Sequence, residues 1–277
     1  MNYDNDAVEQ KLRRMKEDLF AMERVLIAYS GGVDSTFLAK VAFDVLGDNA
    51  LAVTAVSESF PKDELEPARE VARSIGIAHT EVPTDELRNP AYLANHPDRC
   101  FHCKMEIYRA LKCVANEGCF LEIVTGYIAD DTGDYRPGMA AGAEYNIRTP
   151  LMDAGFTKAE VRLLSREMGL PTWDKPSLAC LASRLPYGTP IRVETLRQVD
   201  TAESFLRKQG FRQVRVRHHD TVARIEVPAE DITKFADAEL RGRVTTRLKE
   251  LGYTYVTVDL LGFRSGSLNE TLPRRRS

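Results

Sequence analysis

The chain has no apolar run approaching the roughly 18 residues that a membrane-spanning helix needs, so no such helix is expected. Its opening residues, Met1-Asn2-Tyr3-Asp4-Asn5-Asp6, are polar and acidic and carry no apolar signal core, which makes a cytoplasmic protein the simplest expectation. Net charge is small: 38 Lys and Arg against 41 Asp and Glu leave −3, and bulk electrostatics favour no class of partner. Internal repeats and long low-complexity linkers are absent. Two phosphate-binding signatures are missing as well. No lysine stands in a G-x-x-x-x-G-K-[ST] setting, and there is no G-x-G-x-x-G dinucleotide fingerprint.

At 277 residues the chain can bury a substantial core and build one or two domains. Five cysteines in a reducing compartment read as thiols or metal ligands rather than structural disulfides. Arginine is crowded toward the C-terminal part, at Arg212, Arg215, Arg217, Arg224, Arg241, Arg243 and Arg247. That asymmetry suits an anionic ligand or RNA as well as it suits a solvated helix face. The run Arg274-Arg275-Arg276 reads as a frayed tail.

The most informative stretch is Ser30-Gly31-Gly32-Val33-Asp34-Ser35, which follows the apolar run at 25–28 and precedes a helical pattern. Glycines at a strand-to-helix turn let backbone N–H groups approach an anion. The helix N-terminus adds its positive end, and Ser30 and Ser35 add hydroxyls. The six residues resemble the PP-loop of the ATP pyrophosphatases, enzymes that cleave ATP between the α and β phosphates.

Helical spacing at 8–22 is followed by strand 24–29, helix 35–46, strand 51–56, helix 62–75, strand 78–82, helix 103–116, strand 121–126 and a short fifth strand at 145–148. This alternation predicts an α/β fold with an open parallel sheet. Ligands then bind outside the carboxyl ends of the strands, where the glycine turn, Ser57 and Thr125-Gly126 fall. After Pro186-Tyr187-Gly188-Thr189-Pro190 the order becomes helix 194–209, strands 213–217 and 222–227 around a turn at His218-His219-Asp220, helix 229–250 and strand 254–261. The expected domains are therefore residues 1–186 and a smaller α+β domain, 187–277.

Three further segments can carry chemistry. In Thr125-Gly126-Tyr127-Ile128-Ala129-Asp130-Asp131 the glycine allows close approach at a strand end, and the paired carboxylates can hold Mg²⁺ through water or simply build a turn. Cys100 and Cys103 form a C-x-x-C, which fits a redox pair, half of a zinc site or part of an iron–sulfur site. In Lys175-Pro176-Ser177-Leu178-Ala179-Cys180-Leu181-Ala182-Ser183-Arg184 a cysteine lies beside cations that favour its thiolate. Cys113 and Cys119 have no such setting and read as structural.

Taken in order, the PP-loop, Thr125-Gly126 with Asp130-Asp131, the Lys175–Arg184 stretch and Asp259-Leu260-Leu261-Gly262-Phe263-Arg264-Ser265-Gly266-Ser267 resemble the LarE family of ATP-dependent sulfur transferases over nearly the whole chain. The resemblance implies adenylylation of the carboxylates of pyridinium-3,5-biscarboxylic acid mononucleotide and their conversion to thiocarboxylates, in making the nickel-pincer cofactor. It implies ATP and Mg²⁺ at Ser30, Gly31, Gly32, Val33, Asp34, Ser35, Ser57, Thr125, Gly126, Asp130 and Asp131. It also implies substrate-phosphate contacts from Lys104, Arg215 and Arg217, with Ser183 and Arg184 beside Cys180, and a homo-oligomer. In family members with one cysteine in the Cys180 segment, that residue gives up its own sulfur. Cys100, Cys103 and Cys180 together resemble members that hold a 4Fe-4S cluster, in which one iron has no protein ligand and could carry the sulfide. A tRNA thiolase, an ammonia-using synthetase and a non-catalytic nucleotide- or metal-binding module are the rival readings. The modest net charge and the lack of an RNA-binding module argue against nucleic acid as a partner.

Overall fold

The computed structural model describes residues 5–133 and 137–271, so the Arg274-Arg275-Arg276 run and residues 1–4 of the acidic start lie outside the described residues. The chain divides into two compact units, one of Met1–Ser57, Asp63–Asn89 and Asp98–Leu178, the other of Glu58–Lys62, Pro90–Pro97 and Ala179–Ser277.

In chain order the elements are α1 (Asn5–Ala21), β1 (Val25–Ala28), α2 (Val33–Leu46), β2 (Ala50–Val56), α3 (Leu65–Ile75), β3 (Ala78–Pro83), α4 (Pro90–Leu93), α5 (Arg99–Glu117), β4 (Glu122–Thr125), α6 (Gly138–Glu144), α7 (Pro150–Asp153), α8 (Lys158–Glu167), α9 (Val193–Lys208), β5 (Arg215–His219), β6 (Val222–Glu226), α10 (Ala238–Glu250) and β7 (Tyr255–Val258).

The first unit is α/β. Its four strands run parallel in the order β3-β2-β1-β4, with Ala28 beside Val53 on one side and Thr125 on the other. Val25, Leu26 and Ile27 are fully buried, as expected of a central strand covered by helices on both faces. Val8, Met15 and Leu19, seven and four residues apart, form the apolar stripe that seats α1 in the core. The expected fifth strand does not form. Residues 138–144 are helical, Asn146 is left-handed (φ 52°) and Pro150 starts α7. Only a single bridge survives, in which Arg148 N–H donates to the Ile123 carbonyl (2.9 Å) and the Arg148 carbonyl accepts from Thr125 N–H (3.0 Å).

In the second unit β5 and β6 are antiparallel and β7 joins β6 in parallel. Leu206, Phe211, Val216, Ile225 and Leu248 lie in its core. The turn is shifted from its expected place: His218 and His219 belong to β5, and Asp220 takes the left-handed conformation (φ 51°). The long helix expected at 229–250 is broken. Asp237 is extended and caps α10 by accepting the Leu240 N–H (2.6 Å), after a 3₁₀ stretch at Ala229–Ala236.

Burial pushes the imidazoles of His79, on β3, and of His218 and His219 below their ordinary value of 6.5. The unfolded chain then takes up protons that the folded chain resists, so stability is lost as pH falls through that value. The unfolding temperature is expected to drop as pH is lowered from about 7.5 to about 5.5. A flat profile in differential scanning calorimetry would contradict this.

Candidate active site

At the carboxyl end of β1 the chain turns sharply into α2. Tyr29 N–H still donates to the Val53 carbonyl (2.9 Å), and then Gly31 takes a left-handed conformation (φ 67°). A Cβ on Gly31 would stand 2.6 Å from the Cβ of Ala68 on α3, so conformation and packing both require glycine here. The turn is tied to itself by short hydroxyl contacts. The Ser30 and Ser35 hydroxyls lie 3.1 Å apart, Ser35 Oγ accepts from Ser30 N–H (3.2 Å), and Ser35 Oγ donates to the Gly32 carbonyl (3.3 Å). The opposite wall is Gly126, just past β4. A Cβ there would come within 3.0 Å of the Ser35 nitrogen and 3.1 Å of the Asp34 carbonyl carbon. The end of β4 thus lies directly on the first turn of α2, where N–H groups have no helical acceptor.

Two lysines reach this turn, Lys158, which no motif marks, and Lys175, from the Lys175–Arg184 stretch. Lys158, the first residue of α8, pairs with Asp34 Oδ2. Lys175 donates to the Gly31 carbonyl (3.0 Å) and pairs with Glu64 (2.8 Å). The two aspartates after Gly126 are engaged in building their own loop. Asp130 accepts the Lys158 backbone N–H (2.8 Å), and Asp131 accepts that of Ile128 (3.1 Å). Ser57, at the end of β2, donates to the buried carboxylate of Glu86. A small, mostly apolar cleft of about 180 Å³ opens between Thr125, Tyr127, Ile147 and Met152.

Cys100 and Cys103 lie one helical turn apart at the start of α5, and both are half-buried. Lys104 follows them, with its Nζ 5.6 Å from the centre of the Tyr108 ring. Burial works against the Lys104 ammonium, but Tyr108, Tyr127, Cys103 and Cys100 around it outweigh burial and raise its pKa. None of the five cysteines is in a disulfide. Among the described residues no three Cys, His, Asp or Glu side chains are grouped so as to hold a metal ion. The Cys100–Cys103 pair by itself suits two adjacent thiolate ligands of such a group.

In the second unit Cys180 is half-buried and precedes a 3₁₀ turn, Leu181–Arg184. The Arg184 guanidinium is buried and fully engaged. It donates to the carbonyls of Ala179 (2.6 Å) and Cys180 (2.8 Å), to Ser183 Oγ (3.1 Å), and in a fork to both oxygens of Glu203 (2.8 Å each). Burial alone would raise the Glu203 pKa, but the Arg184 charge and its hydrogen bonds hold it below the carboxylate range. Arg217 donates to the Ser183 carbonyl (2.8 Å), Glu226 (2.7 Å) and Ser267 (2.8 Å). Arg215 lies against the Phe263 ring. Burial, and next the Arg184 charge, lower the Arg215 pKa to about 10. Arg184, Arg215 and Arg217 thus lie buried with Glu203, Glu226 and Asp200, with the half-buried Arg207 paired to Glu203, so that several guanidinium groups are gathered in one place. The Asp259–Ser267 segment has a clear task here, since it brings Phe263 and Ser267 to Arg215 and Arg217.

Lys158, Glu64, Glu86 and Glu203 were not singled out from sequence. One signal existed for Glu203: it lies on the same helical stripe as Leu196, Val199 and Leu206, where a charge needs a partner.

Comparison with known proteins places these features in a lineage. A family model described as NAD synthase matches residues 4–99. An uncharacterized protein of Synechocystis is 46% identical over 96% of this chain and all of its own length. Pyridinium-3,5-bisthiocarboxylic acid mononucleotide synthase of Lactiplantibacillus plantarum is 41% identical over 91% of each chain. The tRNA-specific 2-thiouridylase of Azorhizobium caulinodans is 30% identical, over 56% of this chain and 50% of its own.

Proposed function

Because the chain belongs to the LarE family of ATP-dependent sulfur transferases, we propose that it converts the carboxylates of pyridinium-3,5-biscarboxylic acid mononucleotide to thiocarboxylates. The observation that carries the ATP half is the Ser30–Ser35 turn, closed by Gly126 and backed by two lysines. A carboxylate is a poor acyl donor because its leaving group would be oxide. Transfer of AMP from ATP installs a good leaving group and releases pyrophosphate, which the turn's N–H groups and cations stabilise. A sulfur nucleophile then displaces AMP.

Mg²⁺ fits this turn. Asp34 Oδ1 is buried and has no hydrogen-bond donor among the described residues, as suits a carboxylate oxygen awaiting a cation. The metal would offset charge on the phosphates. Ser57, Thr125 and Asp130 flank the same strand ends.

The gathering of Arg184, Arg215 and Arg217 in the second unit supports a phosphorylated substrate, held by Arg215 and Arg217, with Lys104 as a further candidate contact. Arg184 and Ser183 serve that site by fixing the Cys180 segment. For the sulfur, Cys100, Cys103 and Cys180 would together be the thiolate ligands of a 4Fe-4S cluster, which would provide inorganic sulfide; the alternative source is Cys180's own sulfur. We place the enzyme in the cytoplasm. The exposed side chains of Leu260 and Leu261 support a homo-oligomer.

The test is pyrophosphate release from ATP, dependent on the pyridinium dicarboxylate nucleotide. An Asp34→Ala variant is expected to lose that release by about a hundredfold to a thousandfold while keeping its fold. Release that ignores either the substrate or the substitution would refute the reading.

A further inference from the structure

After β7 the chain crosses the second unit as a strap. Asp259 N–H still donates to the Ile225 carbonyl of β6 (2.9 Å). Asp259 then folds the chain over itself, since its Oδ1 accepts Leu261 N–H (2.9 Å) and its carbonyl accepts Gly262 N–H (3.0 Å). Arg224 pairs with the other carboxylate oxygen. Gly262 is left-handed (φ 69°), and a Cβ there would stand 2.8 Å from the Val227 carbonyl oxygen and 3.1 Å from the Ala229 nitrogen. Conformation and space therefore both require glycine if Phe263 N–H is to reach the Val227 carbonyl (2.8 Å). That bond sets the Phe263 ring against Arg215, whose guanidinium carbon lies 5.6 Å from the ring centre in a cation–π contact.

Four residues further on, Ser267 brings the strap to Arg217. The Arg217 Nη2 gives its two hydrogens to Glu226 Oε2 (2.7 Å) and Ser267 Oγ (2.8 Å), and Nη1 gives one to the Ser183 carbonyl (2.8 Å). Ser267 Oγ donates in turn to Glu226 Oε1 (3.4 Å). Acceptors on three segments hold the planar group in one orientation. Its Nε–H remains, buried and without an acceptor among the described residues. A buried donor in that state is costly, and an anion seated beside it supplies what is missing. Arginines fixed before a ligand arrives also lose less freedom when it binds.

Resting on the reading of Arg215 and Arg217 as the contacts to the substrate phosphate, we propose that the 259–267 strap is a specificity device. Phe263 and Ser267 are positioning residues that fix the two guanidinium groups, so that the site selects a nucleoside monophosphate over the same nucleoside without its phosphate. They act through the arginines. Without the Ser267 hydroxyl, Arg217 Nη2 loses one of its two acceptors, and the guanidinium is free to turn. Without the Phe263 ring, Arg215 loses the face it lies on. Gly262 sets the course of the strap and hence where both side chains arrive.

The experiment titrates the parent protein, Ser267→Ala, Phe263→Leu and the double variant, by calorimetry, with pyridinium-3,5-biscarboxylic acid mononucleotide and with its dephosphorylated nucleoside. The readout is the ratio of the two dissociation constants. Ser267→Ala is expected to weaken the mononucleotide by about threefold to tenfold. Phe263→Leu should weaken it by about twofold to fivefold, and the double variant by about the product of the two. The nucleoside should stay within about twofold throughout, which also shows that each variant is folded. A ratio equal to the parent's in all three variants, whether both ligands weaken or neither does, overturns the assignment. A parent protein that binds the mononucleotide no better than the nucleoside would instead overturn the reading of the two arginines, and the assignment with it.

Discussion

A Cys180→Ala variant is expected to release pyrophosphate from ATP in the presence of the pyridinium dicarboxylate and to form no thiocarboxylate. First-turnover release should stay within about threefold of the parent, against a loss of sulfurated product of about a thousandfold or more. The argument is local. The Cys180 backbone is held through its carbonyl by Arg184, so removing the thiol leaves the segment anchored. The half-buried side chain makes this a small change for the fold. Activation needs the glycine turn, whereas displacement of AMP needs sulfur. Rapid quenching, with pyrophosphate and product measured on the same samples, separates the two. A variant that still makes thiocarboxylate would remove Cys180 from the sulfur chemistry. The companion Cys100→Ala identifies the source. If three cysteines act together, it loses product as fully as Cys180→Ala, and anaerobically purified parent protein carries iron and inorganic sulfide. Iron-free parent protein that makes product while Cys180 loses one H₂S would leave the sulfur to Cys180 alone.

Glu203→Ala is expected to be the most destabilising substitution near the site. Glu203 is fully buried, accepts two hydrogen bonds from Arg184 and one from Val216 N–H (2.9 Å), and faces Arg207. Its removal strands a buried guanidinium among other arginines. Breaking such a pair costs about 3–5 kcal/mol. With a urea dependence of about 1–3 kcal/mol per molar, the unfolding midpoint should fall by roughly 1 M or more. Glu203→Gln keeps the shape and one acceptor and should lose less. Because Arg184 also holds the Ala179 and Cys180 carbonyls, the Gln variant is expected to show reduced sulfur transfer with pyrophosphate release retained. A midpoint unchanged in the Ala variant would show that the arginines are solvated in solution.

The sheet was legible because β1, β2 and β4 hold short apolar runs and the strands alternate with helices, which leaves one topology class. The glycine turn was legible for a related reason: glycine at 31 and 126 has little use except where backbones meet. The failures have physical causes. The 145–148 segment reads as a strand locally, but a left-handed Asn146 and Pro150 leave room for one bridge. Asp237 interrupts a continuous helical pattern because its side chain caps the helix that follows. Lys158 could not be found from sequence, since a lysine after a threonine cap is ordinary and its partner lies 124 residues away. Arg184 reads from sequence as a cation beside Cys180; that its guanidinium is buried and braces the Cys180 segment depends on Glu203, a partner sequence spacing does not reveal.

The position of β4 beside β1 has a consequence for synthesis. The Ser30–Ser35 turn emerges early, flanked by β1 and α2, but its second wall, Gly126, arrives only once the chain through Thr125 has been made and β4 has docked. A nascent chain arrested before residue 122 would carry the complete motif with one side open. Long-range pairing of this kind forms late. ATP therefore cannot help fold the segment that bears its own signature, and a nucleotide-binding signal from ribosome-bound chains should appear abruptly, at a length that includes β4 and α8.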